Sequence, residues 1–203
     1  EHALLALRAG KPVLVEKPAG LTAAQVAAVA DVAARAGLLF AEAYMYRCHP
    51  QIARLLEILK SGEIGTPRHI RAQFGFNAGF NPASRLYDRA LGGGGIMDVG
   101  GYPVSLARLV AGAAVGRAFA DPVTVKGSGI VGQSGVDEVA YGLLGFAGGF
   151  TAEVACAIAR TMDNRAVIEG DKGRIELVDP WVPGRNAGPS DATISVTVGG
   201  ETR

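Results

Sequence analysis

Lys17, Asp98 and Tyr102 are the side chains of this sequence best suited to move a proton or fix a polar ligand. Lys17 lies in Glu16-Lys17-Pro18, directly after the apolar run Val13-Leu14-Val15. A lysine at the carboxyl end of a buried strand sits where open α/β sheets place their ligands. Pro18 stops the strand and discourages a helix at Lys17, which aims the amine into a crevice. Asp98 and Tyr102 stand at i and i+4, a spacing that puts both on one helix face. They come after Gly92-Gly93-Gly94-Gly95, a backbone able to approach a ligand closely, with free N–H groups at the helix start. A carboxylate and a phenol on one face behind a glycine loop form an acid–base edge. Each residue also has an ordinary structural alternative. Lys17 can be a surface lysine at a strand end, Asp98 a helix-start charge favoured by the macrodipole, Tyr102 a half-buried packing residue, and the glycine run a flexible lead-in.

Short helices and strands must position these groups. Residues 2–9 carry leucines and alanines at helical spacing, and Gly10 stops them. Lys11 to Val15 reads as a short buried strand. Thr22 is a good N-cap for an alanine-rich helix over 23–36 that Gly37 ends. Leu38 to Ala43 reads as the next buried strand. Helix, strand, helix, strand with short links is the pattern of βαβ units and a parallel sheet, with most of that sheet expected upstream of residue 1. Tyr44-Met45-Tyr46-Arg47 closes the second strand at the same carboxyl edge, where core packing and a site role are both open.

A second helical run covers 51–61, with Ile52, Leu55, Leu56 and Leu59 on one face and Gly62 after it. Arg68 to Phe76 then alternates as a strand. A loop rich in Asn, Pro, Gly and Arg spans 77–95, and it carries Arg85, unremarkable there as a surface arginine. A helix comes next over 96–111, with a kink or boundary at Tyr102-Pro103. Strands are expected over 119–131, 136–146, 150–159, 165–169, 174–178 and 193–198, with Gly148-Gly149 and Lys172-Gly173 marking antiparallel hairpins. The fold class is α/β plus α+β: the tail of a doubly wound domain, then a domain with a mostly antiparallel open sheet. There is no internal repeat. The chain opens on Glu1, begins a helix almost at once and stops at Glu201-Thr202-Arg203 after a strand-like stretch, so it reads as a fragment of a larger protein.

Gly127-Ser128-Gly129-Ile130-Val131-Gly132 matches G-x-G-x-x-G literally, yet it is read as a strand-to-strand connection. That motif works where its glycines open a helix facing a pyrophosphate, and here another strand comes next. The bulk properties exclude further classes. Lys plus Arg total 20 against 19 Asp plus Glu with no basic run, which argues against nucleic acid or an anionic membrane as the main partner. A 49% hydrophobic and 19% charged composition is globular rather than disordered. Asp31, Arg35 and Glu42 break the most apolar region below the length of a membrane span. Cys48 and Cys156, the two cysteines, make a reducing, cytoplasmic compartment the default. The scattered His2, His49 and His69 give no metal-ligand spacing, and no metal is expected.

Ala9-Gly10-Lys11-Pro12-Val13-Leu14-Val15-Glu16-Lys17-Pro18 resembles the AGKxVLxEKP segment of the Gfo/Idh/MocA oxidoreductases. Glu42 to Pro50, then Asn81-Pro82 through Arg85-Leu86, Leu91-Gly92-Gly93-Gly94 and Asp98-Val99-Gly100-Gly101-Tyr102-Pro103 continue the resemblance in the family's order, across essentially the whole chain. Tyrosine followed by proline is similar to the branch of dihydrodiol dehydrogenases, xylose dehydrogenases and glucose–fructose oxidoreductases, where other branches carry D-x-x-x-H. The resemblance implies a remnant of a Rossmann dinucleotide-binding domain over 1–46. Over 47–203 it implies a truncated α+β domain that binds substrate and forms homodimers or larger homo-oligomers through its open sheet.

The activity implied is reversible hydride transfer between the nicotinamide of NADP or NAD and a hydroxyl carbon of a sugar or cyclic diol. Tyr102 would exchange the hydroxyl proton. A free phenol titrates near ~10, too high for a good base at neutral pH, so an adjacent cation is needed, and Lys17 would be that cation. Asp98 would orient Lys17 or bind a substrate hydroxyl. Glu16, Lys17, Pro18, Met45, Ser84 and Arg85 would lie along the cofactor, and Phe74 would wall the substrate pocket. Two rival readings stand beside this one: a non-catalytic relative that binds a nucleotide or sugar, and a glycosidase that uses nicotinamide transiently.

Overall fold

The computed structural model describes residues 1–183 and 192–203. The chain divides into two compact units, Glu1–Tyr44 and Met45–Arg203.

In the first unit helix α1 (His2–Arg8), strand β1 (Val13–Val15), helix α2 (Ala23–Ala36) and strand β2 (Phe40–Glu42) succeed one another. The two strands run parallel, with Val13 opposite Phe40 and Val15 opposite Glu42. Local chemistry sets the α2 boundaries. Thr22 accepts the Gln25 amide at 3.2 Å, the Gln25 side chain reaches back to the Leu21 amide at 2.8 Å, and Gly37 ends the helix at φ 64°. Leu7, Val29 and Ala33 form the core of this unit, and Val13 and Phe40 pack onto it. The expected burial of the first strand is corrected here: Leu14 is 73% exposed. Val13 and Phe40 share the face covered by the helices, and the alternation of a strand turns Leu14 to the other face. β2 is likewise only partly buried and stops at Glu42.

The second unit opens with a 3₁₀ turn, Met45–Cys48, so residues 44–47 do not close the second strand as the sequence suggested. Tyr46 in that turn is fully buried, and an aromatic anchor at this point draws the backbone out of strand geometry. Helix α3 (Pro50–Ser61) comes next, with Pro50 in its first turn and the His49 ring accepting the Gln51 amide. Strand β3 (Pro67–Gly75) leads to a segment with two short 3₁₀ turns, Arg85–Tyr87 and Arg89–Leu91. A π-helical turn, Ile96–Gly100, then runs directly into helix α4 (Gly101–Ala114).

Among the described residues seven more strands follow: β4 (Pro122–Val131), β5 (Asp137–Phe146), β6 (Thr151–Ala157), β7 (Ala166–Gly170), β8 (Gly173–Leu177), β9 (Ile194–Val198) and β10 (Glu201–Thr202). The sheet order is β10-β9-β8-β7-β3-β6-β5-β4. Within this sheet only β3 and β6 pair in parallel; the other six pairs are antiparallel. The G-x-G-x-x-G look-alike lies along β4 and its exit, paired with β5, as a strand connection should. Ile70, Ala72 and Phe74 of β3 share one face with Ala152, Val154 and Cys156 of β6, and α4 packs on that side. The opposite face carries Arg71, Glu153, Tyr141 and Leu143; Tyr141 and Leu143 are exposed. Among the described residues no helix is long and apolar enough to cross a membrane, and no group of three or more His, Cys, Asp or Glu could hold a metal ion.

Candidate active site

Tyr102 is the second residue of α4, and its ring is buried in a cluster of four aromatics. Phe74 from β3 meets it edge-on at 5.2 Å, Tyr46 lies tilted at 5.7 Å, and Trp181 approaches edge-on at 6.2 Å. Trp181 also stacks on Phe74 at 5.9 Å and touches Tyr46 at 5.6 Å. Offset and edge-to-face contacts of this kind stabilise by about 0.5–1.5 kcal/mol each beyond burial. Polar ends are satisfied as well: the Trp181 indole N–H donates to the Gln73 carbonyl at 2.8 Å, and the Tyr46 hydroxyl donates to Ser105 Oγ at 2.9 Å. Burial pushes the Tyr46 phenol up, against the hydrogen bond with Ser105. The cluster fixes the ring of Tyr102 from three sides.

Asp98 sits in the middle of the π-helical turn, one turn before Tyr102. Its carboxylate is 8% exposed and accepts a charge-assisted hydrogen bond at 3.0 Å from Arg85, whose side chain is 67% exposed. Arg85 is held by a 3₁₀ turn in which Ser84 Oγ accepts the Leu86 amide at 3.3 Å. A π turn of this type is frequent at functional sites.

The glycine run differs from the open cradle expected for it. Gly93 N–H donates to the Asp88 carbonyl and Gly94 N–H to the Leu86 carbonyl, both at 2.8 Å. The Ile96 N–H donates to Asp137 Oδ2 at 2.7 Å. These N–H groups are therefore taken by the chain's own acceptors rather than left free for a ligand. The glycines are required by close packing instead. A Cβ on Gly93 would meet the Leu86 carbonyl oxygen at 2.6 Å, and one on Gly94, at φ +110°, would run into the Asp137 carboxylate.

The structure thus joins Asp98 to Arg85 and Tyr102 to Phe74, and gives Ser84 a turn-capping bond. Met45 is exposed in its 3₁₀ turn. In the first unit, Glu16 and Pro18 are exposed and Lys17 is half-buried, on the loop that leaves the carboxyl end of β1. The Lys17–Pro18 peptide is cis. The Ala19 amide donates to the Glu42 carboxylate at 2.8 Å and ties this loop to the end of β2. Sequence reasoning left Tyr46 open between core packing and a site role, and it did not single out Trp181 or Asp137, which the structure brings to the same helix start. The signal available for Trp181 was its being the single tryptophan, set in Pro180-Trp181-Val182-Pro183.

A parallel strand–helix–strand unit followed by an open, mostly antiparallel mixed sheet with an aromatic-lined helix start defines an α/β protein of two-unit build. Residues 52–176 match the GFO/IDH/MocA C-terminal domain, and the chain belongs to that family. It is 34% identical over 180 residues to trans-1,2-dihydrobenzene-1,2-diol dehydrogenase of Mus musculus, covering 89% of this chain and 52% of that protein. Identity to the Bos taurus protein of the same name is 35% over 181 residues, again 89% of this chain and 52% of that one. The chain spans about half the length of the curated relatives it matches. Among solved structures, aldose-aldose oxidoreductase from Caulobacter crescentus, complexed with glycerol, aligns over all of this chain and 58% of its own at 26% identity and TM-score 0.83. KijD10, a 3-ketoreductase from Actinomadura kijaniata in complex with NADP and TDP-benzene, aligns over all of this chain and 59% of its own at 25% identity and TM-score 0.81.

Proposed function

We propose that this chain forms the substrate side of an NADP- or NAD-dependent oxidoreductase acting on a hydroxyl carbon of a sugar or cyclic diol. The observation that carries the reading is Tyr102, held by three aromatic rings one turn after the Arg85–Asp98 pair. Likeness to dehydrogenases of a dihydrodiol and to a ketoreductase seen with NADP supports both the cofactor and the substrate class.

The chemistry of the first unit suits a nicotinamide nucleotide. Glu16, Lys17 and Pro18 leave the carboxyl end of two parallel strands, the edge at which such sheets take ligands. There they would hold it together with the exposed Met45 and with the Ser84–Arg85 turn. When bound, the nicotinamide supplies the acceptor or donor of the hydride. Every other step belongs to the chain. In oxidation the Tyr102 phenolate takes the proton of the substrate hydroxyl as the carbon loses hydride, and in reduction the phenol returns it. A cation is needed to favour the phenolate, and Lys17 is the residue proposed to supply it and to hydrogen-bond the substrate hydroxyl. Asp98, steadied by Arg85, accepts from a neighbouring substrate hydroxyl. Phe74 and Trp181 give an apolar wall on which a ring can lie.

The open sheet face around Tyr141 and Leu143 is the surface through which copies of the protein would pair. The reading includes a reducing, cytoplasmic setting, the default for a chain with two cysteines.

The test is a cofactor assay on the full-length protein with trans-dihydrodiols and aldoses. Substrate-dependent appearance of reduced nicotinamide is expected. Binding without any change in nicotinamide absorbance would favour a sensor, and glycoside cleavage without net reduction would favour a glycosidase; either overturns the reading.

A further inference from the structure

Two carboxylates meet the start of the helix that carries Tyr102, and one of them, Asp137, caps it from another element. Asp137 is the first residue of β5. Ile130 pairs with Val139 while Val131 pairs with Asp137, so Glu138 is an extra residue at a bulge. An inserted residue reverses the side-chain alternation and re-aims the neighbouring side chains. Here it turns Asp137 onto the helix side of the sheet. Its carboxylate accepts the Ile96 amide at 2.7 Å and the Gly95 amide beside it, and fills the space that a Cβ on Gly94 would need.

The far end of the same π turn rests on β6. A Cβ on Gly100 would come within 3.0 Å of Cys156 Sγ, so the turn lies directly on that sulfur. Two adjacent strands thus clamp the turn at residues 94–96 and at residue 100, with Asp98 between the clamps. An acidic residue in a first helical turn ordinarily bonds or faces its own N–H groups. Asp137 occupies that role from outside the helix, which leaves Asp98 to face Arg85.

We propose that Asp137 is a positioning residue for the reaction: by capping the π turn from β5 it sets where Asp98 and Tyr102 stand. This rests on the reading of Tyr102 as the proton-exchanging group. A shift of the turn by about 1 Å would misplace both groups, a displacement that costs on the order of 100-fold in rate.

The experiment compares Asp137→Ala, Asp137→Asn and Tyr102→Phe in the full-length protein, each shown folded by its melting transition. The readouts are kcat, the KM for the nicotinamide nucleotide, and amide hydrogen exchange at Ile96. Asp137→Ala is expected to lower kcat by about 10- to 100-fold, leave the nucleotide KM within about two-fold, and speed exchange at Ile96. Asparagine keeps one acceptor oxygen, so Asp137→Asn is expected to recover most of kcat. If Tyr102→Phe is inactive while Asp137→Ala turns over at the parent rate, the inference about Asp137 falls and the reading of Tyr102 stands. If Asp137→Asn folds but recovers no kcat relative to alanine, capping is not what Asp137 supplies, and the inference also falls. Full turnover by Tyr102→Phe would instead overturn the reading on which it rests.

Discussion

Lys17 and Tyr102, the two halves of the proposed proton-exchange pair, come from regions built in opposite ways. Lys17 leaves a three-residue strand in a two-stranded sheet whose Leu14 is exposed, and its loop is tied back to Glu42 by a hydrogen bond from the Ala19 amide. Tyr102 is packed by Tyr46, Phe74 and Trp181 above an eight-stranded sheet, on a helix start clamped by Asp137 and Cys156. On the proposed reading the contrast separates two requirements. The residue proposed to exchange a proton is preorganised by dense packing. The residue proposed to serve the cofactor stands on a loop, where binding residues are commonly carried.

The comparison is broken most severely at Lys17. In the full-length protein, Lys17→Ala is expected to cut turnover by about 100- to 10,000-fold, the range for losing acid–base assistance, with little change in melting temperature because the side chain lies outside the first unit's core. Steady-state kinetics with a calorimetric scan checks both halves. A near-normal rate would show that the open loop contributes no catalytic group.

Trp181→Ala sharpens the other side. Trp181 is 0% exposed and touches all three remaining rings. Its loss is expected to cost about 3–5 kcal/mol of stability, read as a lower denaturation midpoint, and to lower activity through a loosened Tyr102. A variant as stable as the parent would show that the cage is not what holds that tyrosine.

Alkaline pH probes the clamp more gently. Burial pushes the Cys156 thiol up to about 12, with the Asp137 charge adding to the effect. The unfolded thiol ionises first, near ~8.5, so the folded state holds the proton over that interval and stability falls as pH rises through it. Burial raises the Tyr46 phenol with the same sign. Melting temperatures are expected to decline from pH ~9 upward, and Cys156→Ala is expected to flatten part of that decline. An unchanged slope would remove Cys156 from the account.

The smallest effect belongs to the open sheet face of the first unit. Leu14→Ser is expected to change the stability of this chain by less than about 0.5 kcal/mol, measurable by denaturant titration. A loss of several kcal/mol would show that this face is covered.

How much was legible in the sequence depends on how local each signal is. The helix over 23–36 was readable to the residue because Thr22 and Gly37 cap it through bonds to near neighbours. That Asp98 and Tyr102 lie on one continuous helical run was readable from their spacing, but the π geometry at 96–100 was not. Long-range placement was not. The π turn at 96–100 is bonded by Asp137, some forty residues later, and Trp181 joins the rings around Tyr102 from about eighty residues further along the chain. Hydrophobicity at 13–15 indicated a strand but not what would cover it, and Leu14 is exposed. The parallel pairing of β3 with β6 likewise depends on a contact about eighty residues apart, which no local alternation encodes.

The central claim is that Tyr102 exchanges the substrate proton. Turnover of the full-length Tyr102→Phe variant, with NADP and a diol or sugar that the parent oxidises, tests it most directly. Phenylalanine keeps the ring in its aromatic cluster and removes only the hydroxyl, so the fold should persist. The account predicts a loss of about 100- to 10,000-fold in kcat with an unchanged melting temperature. A folded variant that turns over within a few-fold of the parent would contradict it.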